Sequence, residues 1–470
     1  DLIYALSCQK LETWNNELHQ FLKRFSIKHL SAYQLIIEKG TKFYDLFNKG
    51  ELKTVSDSLY KQFYFNTKNI LRSKLEYSDF LICVKSLTNK TTYVINNINK
   101  INELSLQLMS ERTGGIMLKL LTNVRYFIAP VLIITTAISI LYGGLFAWTG
   151  VALLGVGIIL DTLITKQTKG AVDENGETLG IAWLQNTVMY LMLPVFIFLQ
   201  CAVAYKIFSG ITGLELVGTT LSAGIFLGIG IIYGHELSHT KGFAFVISRW
   251  MMALSGSAHF CYAHCYNHHL ELATEDDPAT APRGRTIYGH YLLSYLGQSK
   301  FLFEMEKARL QRLDKSFISF DNRWIRGYLM SVPTVALFFM AGGWVGITCL
   351  AVMWVISNFE LEALNYLEHY GLIRVKSQPI DYRHNWDNST LFTSWFFIEI
   401  GRQADHHDRG ETHFWELDDV GAPNTGVGYF TLFTIALIPP LFRKFMKKHL
   451  DKWDRDYASK EEQEIAKQLV

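Results

Sequence analysis

Cysteine is scarce in this sequence, and its few occurrences form no recognisable motif. Six cysteines occur among 470 residues, and no two of them are spaced as a CxxC pair. A disulfide framework is therefore not expected. The sequence instead predicts that the protein resides in a reducing compartment. The sequence also has no GxGxxG segment opening a βαβ unit, so the chain has no recognisable site of its own for a flavin or an iron–sulfur cluster.

Concentrated positive charge is lacking as well. Lysine and arginine total 45 residues, aspartate and glutamate total 43, and the formal net charge is +2. No block rich in lysine and arginine is interleaved with aromatic residues. Because phosphate binding needs clustered cations, the sequence argues against nucleic acid as a partner.

Charge is absent altogether from several long apolar stretches, which predict membrane spans. Residues 126–160 contain no charged side chain, although one span needs only about 20 residues, and the Gly143-Gly144 pair would break this stretch into a helical hairpin. Further apolar stretches lie at 187–205, 211–233, 327–341 and 344–359. The sequence therefore predicts an all-α integral membrane protein with six transmembrane helices. The short apolar segment 428–442 contains Pro439-Pro440 and is expected to lie at the membrane interface.

The distribution of basic residues predicts the orientation in the membrane. The turns near Gly143 and Gly342 carry no lysine or arginine, whereas the opposite ends of the predicted spans carry many, including the 241–326 loop and the tail from Arg443. By the positive-inside rule this second side is cytoplasmic, and both termini lie there. A six-helix transporter or scaffold would show the same topology.

Eight of the fifteen histidines fall into four short groups on the predicted cytoplasmic side. The groups are GHELSH, AHCYNHH, NYLEHYGL and RQADHHD. Histidines at i and i+4 share one helix face and can converge on one ion, whereas adjacent histidines point about 100° apart and can serve two neighbouring metals. Chance surface histidines would not concentrate in this way, so the sequence predicts a metal site.

The ligand type narrows the choice of metal. Imidazole binds iron, zinc, copper or nickel, and one zinc needs about four ligands. Eight imidazoles are too many for one ion and enough for two, and two redox metals at a membrane surface point to oxygen activation, usually by iron. The rival interpretation is a membrane zinc metalloprotease, because HELSH matches HExxH with Glu236 as the general base. It leaves five or six clustered histidines without a role.

Several longer motifs carry a family resemblance. They are HELSH with Lys241 close behind, HHLELATEDDPA, NYLEHYGL, the terminal DHH box and GYFTLFTIALIPPLF. With these motifs, residues from about 117 to about 450 resemble the membrane-bound alkane 1-monooxygenases and the xylene monooxygenase hydroxylase subunit, within the wider fatty acid desaturase-like superfamily. The resemblance implies two iron ions held by nine histidines beneath a hydrophobic substrate channel. The alternative function is that of a membrane fatty acyl desaturase or hydroxylase.

The resemblance assigns metal-ligand positions residue by residue. The ninth falls on Gln403, where the family pattern HxxHH usually has histidine. Gln403 would coordinate through its side-chain oxygen, leave an open position or weaken one iron, and His413 nearby is a second candidate. His384, in RHNWDNS, lies outside the ligand set. The eight histidines that match are His235, His239, His264, His268, His269, His369, His406 and His407.

Carboxylates near the histidines are expected to support them. A carboxylate that accepts the distal N–H of a ligand imidazole fixes its tautomer and raises its basicity. The alternative is that these carboxylates are charged loop residues exposed to solvent. This alternative is strongest for Glu275 and Asp276. The candidates are Glu236, Glu275, Asp276, Glu368 and Asp405.

The resemblance also implies a reaction and partners. The expected reaction is O2-dependent hydroxylation of the terminal methyl of an alkane or of a methyl-aromatic hydrocarbon that reaches the enzyme through the lipid bilayer. Electrons are expected from a separate rubredoxin or ferredoxin at the cytoplasmic face of the inner membrane. Aromatic residues of the spans are candidates for the channel lining, with packing as the alternative, namely Phe146, Trp148, Phe196, Phe198 and Phe226.

The first 85 residues differ in character. DLIYALSCQKLETWNNEL and HLSAYQLIIEKGTKFYDLFNKGEL resemble the middle of the oxygen-independent coproporphyrinogen III oxidase family, whose radical chemistry needs a CxxxCxxC motif that this sequence does not contain. The first residue is Asp, so a truncated reading frame is expected. The sequence predicts a partial α/β fragment without activity at 1–88, with a strand near Leu30–Ile37. A linker at 89–116, the membrane di-iron domain at 117–450 and a charged tail at 451–470 follow.

Overall fold

The computed structural model describes residues 2–4, 10–24, 31–34, 49, 63, 67, 83–84, 120, 122–168, 178 and 180–468. The chain divides into two compact units, Asp1–Ile116 and Met117–Val470.

The first unit contains a small parallel sheet. Strands β1 (Leu2–Tyr4), β2 (Ser31–Gln34) and β3 (Cys83–Val84) pair in the order β1-β2-β3, and helix α1 (Leu11–Arg24) connects the first two in sequence. The buried face of α1 carries Trp14, whose indole N–H donates to the Thr67 hydroxyl at 2.7 Å. The strand expected near residues 30–37 is therefore present as β2, in a small α/β arrangement.

The second unit is helical, and its described residues form no strand beyond two isolated β-bridges. Short 3-10 turns occur at Arg125–Phe127, Gly144–Trp148, Tyr382–His384 and Phe414–Glu416, and His264–His268 forms a turn of π-helix. The helices, in chain order, are α2 (Ile128–Tyr142), α3 (Thr149–Leu163), α4 (Ala182–Phe208), α5 (Gly213–Ser238), α6 (Phe243–Leu254), α7 (Phe260–Ala263), α8 (His269–Glu271), α9 (Ile287–Arg312), α10 (Arg323–Leu329), α11 (Val332–His369), α12 (Leu391–Phe396), α13 (Gln403–Asp408), α14 (Tyr429–Ala436), α15 (Pro439–Asp456) and α16 (Lys460–Gln468).

Five continuous helical segments are long and apolar enough to cross a bilayer. They are Thr122–Tyr142, Gly144–Leu163, Ala182–Phe208, Gly213–Ser238 and Arg323–His369. The last is 47 residues long, about twice the length of one span. Its backbone is not helical at Gly342 and Gly343, and a side chain on Gly346 would collide with the Phe338 carbonyl. The chain therefore folds back at this point, and the segment contains two helices. The predicted all-α membrane architecture is confirmed, with five apolar segments of which one is folded into two helices, where six spans were predicted.

Helix α5 is the central element of the bundle. From Gly218 to Ser238 nearly every residue is buried, and several glycines on α5 allow neighbouring helices to approach closely. Gly224 faces Ile356 of α11, and Gly230 faces Phe196 of α4. This packing places the ends of α5 and α11 side by side.

Buried polar contacts hold the segments after α11 against the spans. Asp161 at the end of α3 accepts hydrogen bonds from the hydroxyls of Thr390 and Thr393, each at 3.0 Å. Glu399 accepts from the Tyr126 hydroxyl at 2.8 Å and pairs with Arg402 at 3.1 Å. Because α13 begins directly after Arg402, these contacts fix the position of α13.

Candidate metal centre

The eight predicted histidines converge at one end of the helical unit. His235 lies in the last turn of α5, His239 directly follows that helix, and His369 is the last residue of α11. The segment from α7 to α8 supplies three more histidines, and α13 supplies the last two. Elements far apart in the sequence therefore build one largely buried cage of imidazoles.

His264 is at the centre of a first group. The ligand nitrogens of His235, His239, His264 and His406 all lie within 4.8 Å of one another. The Nε2 atom of His264 lies 2.8 Å from Nε2 of His235 and 3.0 Å from Nε2 of His239. It also lies 3.0 Å from Nε2 of His269. Five imidazoles therefore belong to this group.

His268, His369 and His407 form a second group, whose ligand nitrogens also lie within 4.8 Å of one another. It is directly adjacent to the first, because the rings of His269 and His407 have centroids 4.4 Å apart. The adjacent histidines of each HH pair are divided between the groups, one to each. Together the two groups contain all eight predicted histidines.

The π-helical turn explains how one short segment serves both groups. At its end the His269 amide donates to the His264 carbonyl, a hydrogen bond five residues apart instead of four. The wider turn lets His269 face His264 while His268, between them in sequence, faces the second group. Such single π-turns are frequent at functional sites.

The cage nitrogens are arranged as ligands and not as hydrogen-bond partners. Nε2 of His264 faces three other Nε2 atoms, although a neutral imidazole nitrogen can form a hydrogen bond with only one of them. Both ring nitrogens of His407 are buried without a partner among the described residues, a cost of about 1–3 kcal/mol per unsatisfied group. Two nitrogens bound to one ion at about 2.1 Å and at a right angle are about 3.0 Å apart. The residues present therefore fit a metal centre.

Burial keeps five imidazoles of the cage uncharged. It lowers the pKa of His239, His264, His269 and His407 well below the usual value, and neighbouring imidazoles lower it further. Burial likewise lowers the pKa of His406 to about 4. These five imidazoles are thus neutral at pH 7, with lone pairs free to bind metal.

Asp277 is the carboxylate that supports the cage. Its Oδ2 atom lies 2.8 Å from Nδ1 of His268 and accepts from the Thr280 hydroxyl at 2.6 Å. Burial alone would raise the pKa of Asp277, but the His268 imidazole and the Thr280 hydroxyl hold it below the usual value. Asp277 therefore orients His268 so that Nε2 faces the second group. Sequence reasoning missed this residue, because nothing in EDD indicates which of three consecutive acids turns inwards.

The five predicted carboxylates have other positions. Glu275 and Asp276 are exposed, and Asp276 pairs with Lys376 at the surface. Asp405 binds Arg409, and Glu236 accepts from the Phe414 amide at 2.9 Å. Glu368 accepts from Gln403, and its other oxygen lies 3.9 Å from Nε2 of His369. Within the described residues, none of these five carboxylates forms a hydrogen bond with a cage imidazole.

Gln403, to which the resemblance assigned the ninth ligand position, begins α13, the helix that carries His407. Its side chain is buried, and its amide nitrogen donates to Glu368 at 3.0 Å. His413 is separate from both groups, and its ring stacks on Trp415 with centroids 4.3 Å apart. His384 is also outside the cage and pairs with Glu462.

An apolar cavity lies between the spans next to the cage. Its lining includes Ile232, three residues before His235, and Phe430 and Phe433 of α14. The aromatic candidates from the sequence are not among the lining residues of this cavity. Phe196 and Phe226 are packed in the core, because they face neighbouring helices and not the cavity.

Comparison with known proteins agrees with this architecture. Residues 214–431 match the sequence model of the fatty acid desaturase family. The chain is 28% identical over 353 residues to the xylene/toluene monooxygenase hydroxylase component of Pseudomonas putida, covering 73% of this chain and 93% of the relative. It is 29% identical over 337 residues to an alkane 1-monooxygenase of Pseudomonas putida, covering 69% and 82%.

A third relative is the alkane 1-monooxygenase of Acinetobacter baylyi, with 31% identity over 326 residues that cover 65% of this chain and 77% of the relative. The segment that matches the desaturase family contains the complete histidine cage. The spans, the cage and these similarities agree, and the chain belongs to the alkane 1-monooxygenase family of membrane oxidoreductases.

Proposed function

We propose that this protein uses O2 to hydroxylate the terminal methyl of an alkane or of a methyl-aromatic hydrocarbon at a centre of two iron ions. The observation that carries the proposal is the division of eight imidazoles into adjacent groups of five and three. The relatives are named as alkane 1-monooxygenases and as a xylene/toluene monooxygenase component, which supports this class of substrate.

The first group would hold one ion, and His268, His369 and His407 would hold the other. Separations of 2.8–3.0 Å between Nε2 atoms suit ligands at right angles better than the tetrahedral arrangement of zinc, for which about 3.4 Å is expected. Imidazole ligands without thiolate are compatible with iron. Bound iron would supply the activation of O2.

The residues of the chain contribute position and environment. Asp277 holds His268 in one orientation, and the apolar lining of the cavity aligns a hydrocarbon and excludes water from the reacting carbon. The cavity lies between membrane spans, so a substrate dissolved in the bilayer would reach it by passing between these helices. A membrane fatty acyl desaturase would use the same arrangement with a different product.

The electrons must come from another protein. No flavin or iron–sulfur motif is present in the sequence, so we assign the donor role to a rubredoxin or ferredoxin at the cytoplasmic face of the inner membrane. The basic loops and tail on the cage side of the spans support that orientation.

Metal and product analysis test the proposal together. Purified protein is expected to contain about two irons per chain and to convert octane to octanol, or xylene to methylbenzyl alcohol, with consumption of O2. His268→Ala should lose iron and product, whereas His413→Ala, outside the cage, should retain both. One zinc per chain would support the protease instead, and an unsaturated acyl product would support a desaturase.

A further inference from the structure

Glu360 is an acidic side chain in the lining of the apolar cavity. It lies on α11, and the other lining residues are apolar apart from Tyr429. Ionisable residues inside membrane spans are costly, and they usually mark functional positions. No part of the hydroxylation described above uses Glu360.

Among the described residues, one oxygen of this carboxyl group has no hydrogen-bond partner. This oxygen, Oε2, is buried. The facing residue on α5 is Gly228, where a Cβ atom would collide with Oε2. The backbone N–H groups of α5 are engaged within the helix and cannot serve as donors, so the carboxyl is left for a ligand to satisfy.

Glu362, two residues further along α11, shows the opposite arrangement. It is fully buried and accepts hydrogen bonds from Ser294 at 2.5 Å, Gln298 at 2.9 Å and Asn365 at 3.1 Å. The protein therefore provides donors for a buried acid in the same helix. The part of the chain that the structure describes offers Oε2 of Glu360 no such donor, which distinguishes Glu360 from a structural acid.

The position of Glu360 sets its distance from the cage. It precedes His369 by nine residues on one helix, which corresponds to about 13–14 Å along the axis. The cavity also extends to Ile232, within one helical turn of His235. One end of the cavity is thus close to the cage, and Glu360 is well removed from it.

We propose that the cavity binds aliphatic chains that carry a hydroxyl group remote from the methyl to be oxidised, and that Glu360 binds this hydroxyl. A hydroxyl both donates and accepts, so it pairs with a carboxyl group in either protonation state. The inference rests on the proposed function. One methyl C–H bond is replaced by C–OH, one oxygen atom of O2 enters the product, and the other leaves as water after uptake of two electrons from the donor and two protons.

The test compares substrates of equal length. Membranes containing the full chain and an electron donor are given 1-octanol, 1-dodecanol or 1-hexadecanol, each in competition with the corresponding alkane. At the best length we expect at least about a tenfold preference for the alcohol, because an analogue without the hydroxyl leaves the buried polar group unpaired. Glu360→Leu should abolish this preference, and Glu360→Gln, whose amide still donates and accepts, should retain most of it.

Leu154→Met is the matched control. It reshapes the same cavity without altering Glu360, so it should change the rates of alcohol and alkane oxidation by the same factor.

A second measurement needs no catalysis. 1-Alkanols should raise the thermal unfolding temperature of the purified protein more than alkanes do, and Glu360→Leu should remove the difference. Equal rates and equal thermal shifts for both substrates in the wild-type protein would overturn the inference. Iron-loaded protein that oxidises neither substrate would instead refute the proposed function.

Discussion

At the scale of single residues, the centre depends on contacts that orient imidazoles. Asp277 is buried against His268, whereas its neighbour Asp276 is exposed and pairs with Lys376. A carboxylate of this kind fixes the tautomer of the ligand and strengthens its bond to metal. Whether an aspartate of this loop supports the metal centre therefore depends on whether the local turn points its side chain towards the histidines or towards solvent.

Asp277→Ala is expected to weaken metal binding at the second group by about 10–100-fold. The reason is that His268 loses the partner of its Nδ1 atom. Iron retained after dialysis against graded chelator concentrations measures the effect. Asp276→Ala is the control and should bind iron as the unmodified protein does, and a larger loss in the control would show that Asp277 has no special role.

Gln403→His would add a fourth imidazole to the second group. The new ring can donate to Glu368, as the Gln403 amide does at 3.0 Å, and present its other nitrogen to the metal. We expect higher iron content and faster turnover. Gln403→Leu, which offers no ligand, should show neither gain, and unchanged iron content in Gln403→His would mean that Gln403 is no ligand position.

At the scale of elements, the C-terminal helix α16 docks through one buried acid. Glu462 accepts from Nε2 of His384 at 2.9 Å and from the Ser459 amide at 2.7 Å, and it pairs with Arg383 at 3.3 Å. Burial alone would raise the pKa of Glu462, but these three partners lower it to about 2. Because the pKa in the folded protein lies below the usual 4.5, the stabilisation is complete above that pH and is lost as the pH falls towards 2.

Glu462→Gln should therefore reduce the dependence of stability on pH between about 4.5 and 2. At neutral pH it should cost on the order of 1–3 kcal/mol, because the amide offers the buried partners one acceptor oxygen instead of two and carries no charge. Thermal unfolding measured across this pH range tests both statements. Glu464→Gln, which alters an exposed pair with Lys467, should leave the profile unchanged, and equal profiles for the two variants would contradict the role of Glu462.

At the scale of the whole molecule, the spans place the histidine cage at one membrane face. Helices α5 and α11 end there, and the turns near Gly143 and Gly342 lie at their opposite ends. The chain reverses at Gly343, whose φ of +56° is accessible to glycine at little cost. This arrangement requires the loop between α9 and α10 and the C-terminus to share the side of the cage.

Reporter fusions in bacterial cells test that arrangement. Alkaline phosphatase inserted at Gly210, between α4 and α5, should be active, because that turn is expected outside the cytoplasm. Green fluorescent protein fused at the C-terminus should fluoresce, and green fluorescent protein inserted at Asp314 should fluoresce as well. Alkaline phosphatase at either of these two positions should be inactive. Phosphatase activity at Asp314 or at the C-terminus would reverse the orientation.

The sequence by itself determined the membrane spans and the candidate ligands. A long uncharged apolar stretch can satisfy its backbone in a bilayer only as a helix, and the spacing of the histidines predicted that they would converge. Only the tertiary structure decided that His269 belongs to the first group and His268 to the second. It also decided that Asp277, and not Asp276, faces the cage. The lining of the cavity by Phe430 and Phe433 was likewise decided only by the tertiary structure. These outcomes depend on the direction of side chains across elements far apart in the chain, and local sequence carries no signal for that direction.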